Sequence, residues 1–280
     1  MQKTNNFFVI HNFNTIPSNL LELCEDYLIY DCSTQTNIKE QLHTMGLHIK
    51  DIENTGHNIT SYFSYFDEYY DNLPEVICLL KGNMIGRHCS KEFLDQVYNN
   101  QSFTFLYEEK QYWDKFSKYD STGQKNEAGN TFLAMENVYV EKNTSWYAQS
   151  DNHPKKYFND VDDLLRFIYQ KPMIPQYCMF APGACYIVRK EQVLLHDRVF
   201  YRNLNKLMNY AVAPNFPSEA HQIERILPIL FTSCGKVNDW MENEQAFENK
   251  LPECSAYIQY KYDNRPRKFK KLRQMLGLIK

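Results

Sequence analysis

Apolar residues in the first hundred positions come in short blocks, each closed by a polar turn. Residues 7–10 predict a buried strand that ends in the polar tip His11-Asn12-Phe13-Asn14. Pro17-Ser18 then opens a helix carrying Leu20, Leu21, Leu23 and Cys24. Residues 27–30 predict a second strand, ending in Asp31-Cys32-Ser33, and residues 48–52 a third. Ile59, Tyr62, Phe63, Phe66, Tyr69 and Tyr70 recur at helical spacing until Asn72-Leu73-Pro74 stops them. Residues 76–80 are apolar without interruption, as in a strand covered on both faces.

Further along, the pattern predicts a helix over 93–98 and an edge strand over 103–107. It loosens over about 108–159, where Ser121-Thr122-Gly123 and many Asn and Lys read as an irregular insertion. An acidic-start helix follows over 160–169, then breaks at Pro172 and Pro175. Residues 179–188 read as a turn into another buried strand, 193–210 as a helix, and Ser218 as the cap of a helix to about 231. Strands alternating with helices predict an α/β fold, a mostly parallel sheet covered by helices on both faces. One domain over 1–264 and a basic amphipathic tail over 265–280 account for the chain, with no internal repeat.

This layout limits where a ligand can bind. Open α/β sheets bind ligands where strand ends meet helix starts. Asn54-Thr55-Gly56-His57-Asn58 before the aromatic helix, and Lys81-Gly82-Asn83 after the fourth strand, are two such turns. With the tips of the first two strands they nominate His11, Asn12, Asp31, Asn54, Gly56, His57, Asn58, Lys81 and Asn83 as binders of a polar ligand. Arg87 and His88 follow closely, and positive groups beside a Gly turn suit a phosphate or diphosphate. The ordinary reading of the same cations is a solvated basic surface.

Composition adds less. The 280 residues include 21 Tyr and 18 Phe but only 9 Gly. Tyrosine suits grooves for polar ligands such as sugars; a codon bias toward Tyr, Phe, Asn, Lys and Ile gives the same richness. A net charge of −3 makes no global case for nucleic acid. Eight cysteines without a C-x-x-C pair suggest buried thiols in a reducing compartment, not disulfides or zinc. The first apolar run is too short for a signal peptide or a membrane span, so the expected location is cytoplasmic. In the tail, Arg265, Arg267, Lys268, Lys270, Lys271 and Arg273 interleave with Phe269, Leu272, Met275, Leu276, Leu278 and Ile279. Such a segment suits an anionic membrane face, and equally a solvated tail or an arm on a partner subunit.

Two carboxylates stand out on the late helix. Ala220, Ile223, Leu227 and Leu230 form its apolar stripe, and His221 and Arg225 share a polar face. Glu224 falls beside the stripe and Glu219 near its other edge. A carboxylate near a core needs a partner or a raised pKa, which makes each a candidate general base or one half of a structural ion pair. Asp160-Val161-Asp162-Asp163 contains a D-x-D, but it opens a helix, where acids cap and complement the dipole. Neither a P-loop ending nor G-x-G-x-x-G is present, which argues against a dinucleotide cofactor. No metal ligands are assigned, although a divalent Mn or Mg ion stays open.

Asn54-Thr55-Gly56-His57-Asn58, Tyr62 and Tyr69-Tyr70-Asp71-Asn72-Leu73-Pro74 resemble an uncharacterised domain family with an Asn-x-Gly turn and a Tyr-rich helix. Gly183-Ala184-Cys185-Tyr186-Ile187-Val188-Arg189 and Ala220-His221-Gln222-Ile223-Glu224-Arg225 resemble that family's later segments. Proteins of this look are glycosyltransferase-like and belong to bacterial capsule and lipopolysaccharide systems. The resemblance implies a GT-A-like fold and transfer of a sugar from a nucleotide-sugar donor to a glycan or lipid-linked acceptor. By that analogy Glu219 or Glu224 is the base, and Arg225, Lys81 or Arg87 hold the diphosphate. Gly183, Ala184 and His221 fall on the acceptor side. Two other readings stay open: a non-catalytic carbohydrate-binding or assembly subunit, and a phosphoryl-type transferase acting on sugars.

Overall fold

The computed structural model describes residues 2–108, 131–135, 138–142 and 153–263, and side chains as far as 254 except along 131–142, where only that of Tyr139 is described. Its centre is a mixed sheet built from β1 (Phe7–Asn12), β2 (Tyr27–Asp31), β3 (Ile49–Asp51), β4 (Val76–Lys81), β5 (Thr104–Phe105) and β9 (Tyr186–Arg189). The spatial order is β3-β2-β1-β4-β9-β5. The first four strands are parallel; β9 runs antiparallel to both β4 and β5. Their crossovers are carried by α1 (Ser18–Leu21), α2 (Thr36–Thr44) and α3 (His57–Tyr69), with α4 (Lys91–Val97) following β4.

The strands alternate between two cores, as a period of two requires. Val9, Leu28, Tyr30, Ile77, Leu79 and Val188 pack with α3 on one face. The same core takes in α7 (Arg198–Met208) and α8 (Ser218–Thr232) through Phe200, Tyr201, Leu204, Ile223 and Leu227. Phe8, Ile10, Ile29, Cys78, Leu80 and Ile187 face the other side, against Leu20 and Leu94. The expected α/β class, with a mostly parallel sheet between helices, is therefore present.

Several details differ from the sequence pattern. Part of the expected insertion is sheet: β6 (Thr131–Met135) and β7 (Val138–Lys142) join β8 (Tyr177–Phe180) in an antiparallel ribbon. The helix expected over 193–210 is two pieces, α6 (Lys190–Val193) and α7, because Asp197 starts a new turn in extended conformation. The first helix stops at Leu21, leaving Leu23 and Cys24 buried in a turn. A final helix, α9 (Glu244–Asp263), has no counterpart in the hydrophobic pattern. It docks through Phe247, fully buried against Phe167, and adds partly exposed ion pairs of Arg202 and Lys206 with Glu244 and of Lys206 with Glu248. The D-x-D segment opens α5 (Val161–Ile168), where the Asp160 carboxylate accepts the Asp163 amide at 3.0 Å as an N-cap. Every described cysteine is free, six of them buried. Among the described residues no helix is long and apolar enough to cross a membrane; the tail over 265–280 lies outside them.

Candidate functional site

Sheet direction decides what gathers at one edge. The carboxyl ends of β1, β2 and β4 bring His11, Asn12, Asp31 and Lys81 side by side, with Asn12 opposite Asp31 and His11 opposite Lys81. Because β9 is antiparallel, its start lies at that same edge, Tyr186 opposite Leu79. The turn before β9 is therefore delivered to the ends of the parallel strands. In it, the Ala184 amide donates to the Ala181 carbonyl at 2.8 Å. Pro182 sits second and Gly183 third with φ of 90°, the signature of a type II turn. Gly183 is needed twice over, since a Cβ there would also stand 2.6 Å from the buried His88 ring.

This turn is gripped from both sides. The Gly183 amide donates to Glu224 Oε1 at 2.7 Å, and its carbonyl accepts from Asn58 Nδ2 at 2.7 Å. Asn58 also donates to the Tyr62 hydroxyl at 2.8 Å, so the first turn of α3 and the middle of α8 meet on Gly183. Gly82, just past β4, leaves room for the Asn12 and Thr15 side chains. Asn12 Nδ2 in turn donates to Asp31 Oδ1 at 2.8 Å. The Ser33 hydroxyl donates to that same oxygen at 2.6 Å, while Asp31 Oδ2 is buried with no hydrogen-bond partner among the described residues. A buried carboxylate oxygen in this state is short of a donor that a ligand hydroxyl or N–H can supply.

The helix pattern placed His221 and Arg225 on a polar face, and the structure buries both. Helix α8 is enclosed nearly all round, so its polar side looks into the site instead of into solvent. Arg225 Nη1 donates to the His221 carbonyl at 2.8 Å, lies 3.6 Å from Glu224 Oε2, and its guanidinium covers the Phe180 ring. These neighbours overcome the burial of Glu224: His221, Arg225 and the Gly183 amide hold its carboxyl below the usual glutamate range. Burial and the charge of Arg87 push the Lys81 ammonium down, and Glu224 draws it back up. Burial keeps the imidazoles neutral, with His11 lowered to about 3 and His221 to about 4. His57 is lowered as well, first by burial and then by His221 and Lys81. Its ring stacks on Phe216 at 3.4 Å, and its backbone takes φ of 54° at the head of α3. Arg225 thus stands beside the Glu224 carboxylate, Lys81 feels the charges of both Glu224 and Arg87, and Asp31 ends the strand next to β1. That balance suits an anionic ligand.

The structure does not bring every nominated residue into this centre. Glu219 is fully buried at the start of α8 and belongs to a different contact. Its Oε1 accepts the amides of Lys156, Tyr157 and Phe158 at 3.0, 2.7 and 3.4 Å, and its Oε2 meets the Tyr210 hydroxyl. Gly56 serves packing: its amide donates to Thr60 Oγ1 at 2.9 Å, and Met208 fills the space a Cβ would take. The Asn54 carbonyl accepts the Ala213 amide, while its side-chain oxygen is buried with no hydrogen-bond partner among the described residues. Asn83 sits half-buried in the turn after β4, and Ala184 is buried with φ of 52°. His153, Ser61 and Cys32 were not nominated, yet His153 lies 3.2 Å from His221, and Ser61 and Cys32 contact the His11 ring. Among the described residues no cluster of three or more His, Cys, Asp or Glu is arranged to hold a metal. Neither a protein-family model, nor a curated protein, nor a solved structure matches the chain.

Proposed function

We propose that the protein is a glycosyltransferase with a GT-A-like fold, moving a sugar from a nucleotide-sugar donor to a glycan or lipid-linked acceptor. The observation that carries this reading is Glu224, held on the Gly183 amide beside Arg225 and lowered below the usual glutamate range, with Lys81 at the carboxyl end of a parallel strand under the charges of Glu224 and Arg87. The strand order, four parallel strands followed by an antiparallel one, supports the same fold. Glu224 takes the proton of an acceptor hydroxyl as that oxygen bonds to the sugar's anomeric carbon. The bond from that carbon to the donor phosphate breaks, and its electron pair leaves with the nucleoside diphosphate. Lys81, Arg87 and Arg225 stabilise the departing charge. Asp31, through its unpartnered oxygen, takes a hydroxyl or N–H of the nucleoside. Glu219 is left to hold the fold. Surface polysaccharide is the acceptor class, on the inner membrane face, where the basic segment over 265–280 keeps the enzyme close to a lipid carrier.

The test is thermal stabilisation by UDP, GDP, CMP and their sugars, with and without Mn²⁺ or Mg²⁺, followed by turnover with the stabilising donor. A ligand of the folded state raises the melting point according to RT ln(1 + [L]/Kd). One nucleotide class is expected to stabilise, and Glu224→Gln to keep donor binding while losing about 10²–10⁴ in turnover. No shift with any nucleotide, alongside stabilisation by oligosaccharides alone, replaces the transferase with a carbohydrate-binding subunit.

A further inference from the structure

Two consecutive peptides of the turn before β9 are held by two different helices. The Gly183 amide donates to Glu224 Oε1 on α8 at 2.7 Å. The Gly183 carbonyl accepts from Asn58 Nδ2 on α3 at 2.7 Å, and the Ala184 carbonyl lies 3.4 Å from the same nitrogen. The other hydrogen bonds of residues 181–184 are local. The Ala184 amide bonds the Ala181 carbonyl, the Ala181 amide bonds the Tyr186 hydroxyl, and the Cys185 thiol reaches the Gly183 carbonyl at 3.3 Å. Among the described residues, Glu224 and Asn58 are thus the hydrogen-bond partners that tie this turn to distant parts of the chain.

Asn58 is spent on this contact. It is 2% exposed, in the first turn of α3. Carbonyl oxygens only accept, so the atom facing Gly183 and Ala184 is the amide nitrogen. Its two hydrogens go to the Gly183 carbonyl and to the Tyr62 hydroxyl at 2.8 Å. Tyr62 lies one helical turn further along α3 and is fully buried, so it holds the plane of the amide. No side-chain hydrogen of Asn58 is left for a phosphate, the role its place in the sequence suggested. A buried amide with both hydrogens bonded keeps one orientation, and the turn inherits it.

Glu224 in turn takes its direction from the turn. Its Oε1 is committed to the Gly183 amide, while its Oε2 faces Arg225 Nη1 at 3.6 Å, beyond a hydrogen bond. A charge pair at that separation attracts without fixing an angle; an amide at 2.7 Å fixes one. We infer that Asn58 is a positioning residue for Glu224: by anchoring the Gly183 turn to α3 it fixes Oε1 and leaves Oε2 as the oxygen that takes the acceptor proton. That Glu224 is a base rests on the reading above; the anchoring of its carboxylate through Gly183 does not.

The first experiment needs no substrate. In the native full chain, ¹⁵N–¹³C couplings through hydrogen bonds are expected from Asn58 Nδ2 to the Gly183 carbonyl and from the Gly183 amide to the Glu224 carboxyl. Absence of either overturns the inference. The Glu224 carboxyl ¹³C signal is then followed through pH in the native protein, Asn58→Leu and Asn58→Gln. Leu keeps the bulk and removes the donor; Gln keeps the donor on a longer arm. The Glu224 proton affinity is expected to rise about tenfold in Asn58→Leu and to return to within about threefold of native in Asn58→Gln. A native midpoint in Asn58→Leu overturns the inference, as does a Gln variant as perturbed as the Leu one. Should Asn58→Leu not fold, the native couplings decide. With the nucleotide sugar that stabilises the protein, Asn58→Leu is expected to lose about 10²-fold in kcat and to keep its donor KM within about threefold. Native kcat in a folded Asn58→Leu overturns the inference too. If the couplings hold and no nucleotide binds, the anchor stands and only the transferase reading falls.

Discussion

Glu219 and Glu224 lie five positions apart on one helix, the first fully buried and the second with 17% of its side chain exposed, and they do different things. Glu219 meets three consecutive backbone amides and a tyrosine hydroxyl. All its partners are neutral and fixed by the chain, so it stitches the start of α8 to the segment over 156–158. Glu224 meets one amide, one guanidinium and one imidazole, beside a half-buried lysine. Their protonation follows the partners: burial raises the Glu219 carboxyl despite its hydrogen bonds, whereas cationic and N–H neighbours lower that of Glu224. Burial alone therefore does not identify a functional carboxylate; the chemistry and openness of its partners do.

The contrast is broken most severely at Glu219. Glu219→Ala strands three amides in the core and should cost about 3–5 kcal/mol in urea unfolding. Glu219→Gln, which still offers an oxygen, should cost less than half of that. Equal losses would show that the charge, not the acceptor, matters.

Acid should come next. His11, His196 and His221 are held neutral in the fold, at about 3, 4 and 4, against 6.5 when unfolded. Between those limits the unfolded chain binds more protons, so this stability is complete above pH 6.5 and lost as pH falls toward 4. Each of His196 and His221 contributes on the order of 3 kcal/mol at most, and His11 on the order of 5 kcal/mol. His196 lies away from the site, stacked on Phe200 and bonded to the Leu230 carbonyl. His196→Phe should therefore flatten the loss between pH 6.5 and 4 and leave ligand binding unchanged, as urea titrations across that range will show.

Gly183→Ala should cost about 1–3 kcal/mol, from the left-handed backbone and the approach to His88. It should also weaken binding of the nucleotide that stabilises the native protein, because the turn orients Glu224. A stable variant with native binding would detach the turn from the site. The smallest effect on the fold belongs to Glu224→Gln, about 1 kcal/mol or less, since the amide oxygen still accepts from Gly183. A loss as large as that of Glu219→Ala would erase the distinction between the two carboxylates.

Much of this edge of the sheet was legible in advance. Continuous apolar blocks with polar tips fix strands by a period that needs no partner, so His11, Asn12, Asp31 and Lys81 could be placed at strand ends. The D-x-D at 160–163 was readable as a cap because capping is local, and Asp160 indeed bonds the Asp163 amide. Helix α9 was not legible, because a single buried aromatic, Phe247 against Phe167, and charged contacts with Arg202 and Lys206 tie it to distant segments. His153 lay inside a stretch with no periodicity, and its contacts with Phe216 and His221 join segments far apart in the chain. The wheel could not separate Glu219 from Glu224, since both flank the apolar stripe and the wheel does not show what crosses either end.

The sequence by itself determined the class of the fold, the strands and the edge at which polar groups collect. Hydrophobic period and turn chemistry are local, and parallel connections leave few ways to assemble them. Only the tertiary structure decided that β9 runs backward and delivers Gly183 to that edge. It also decided that residues 156–158 claim Glu219 and leave Glu224 among the cations. Those outcomes depend on which distant groups meet in a space that water has left, and a helical period carries no record of that.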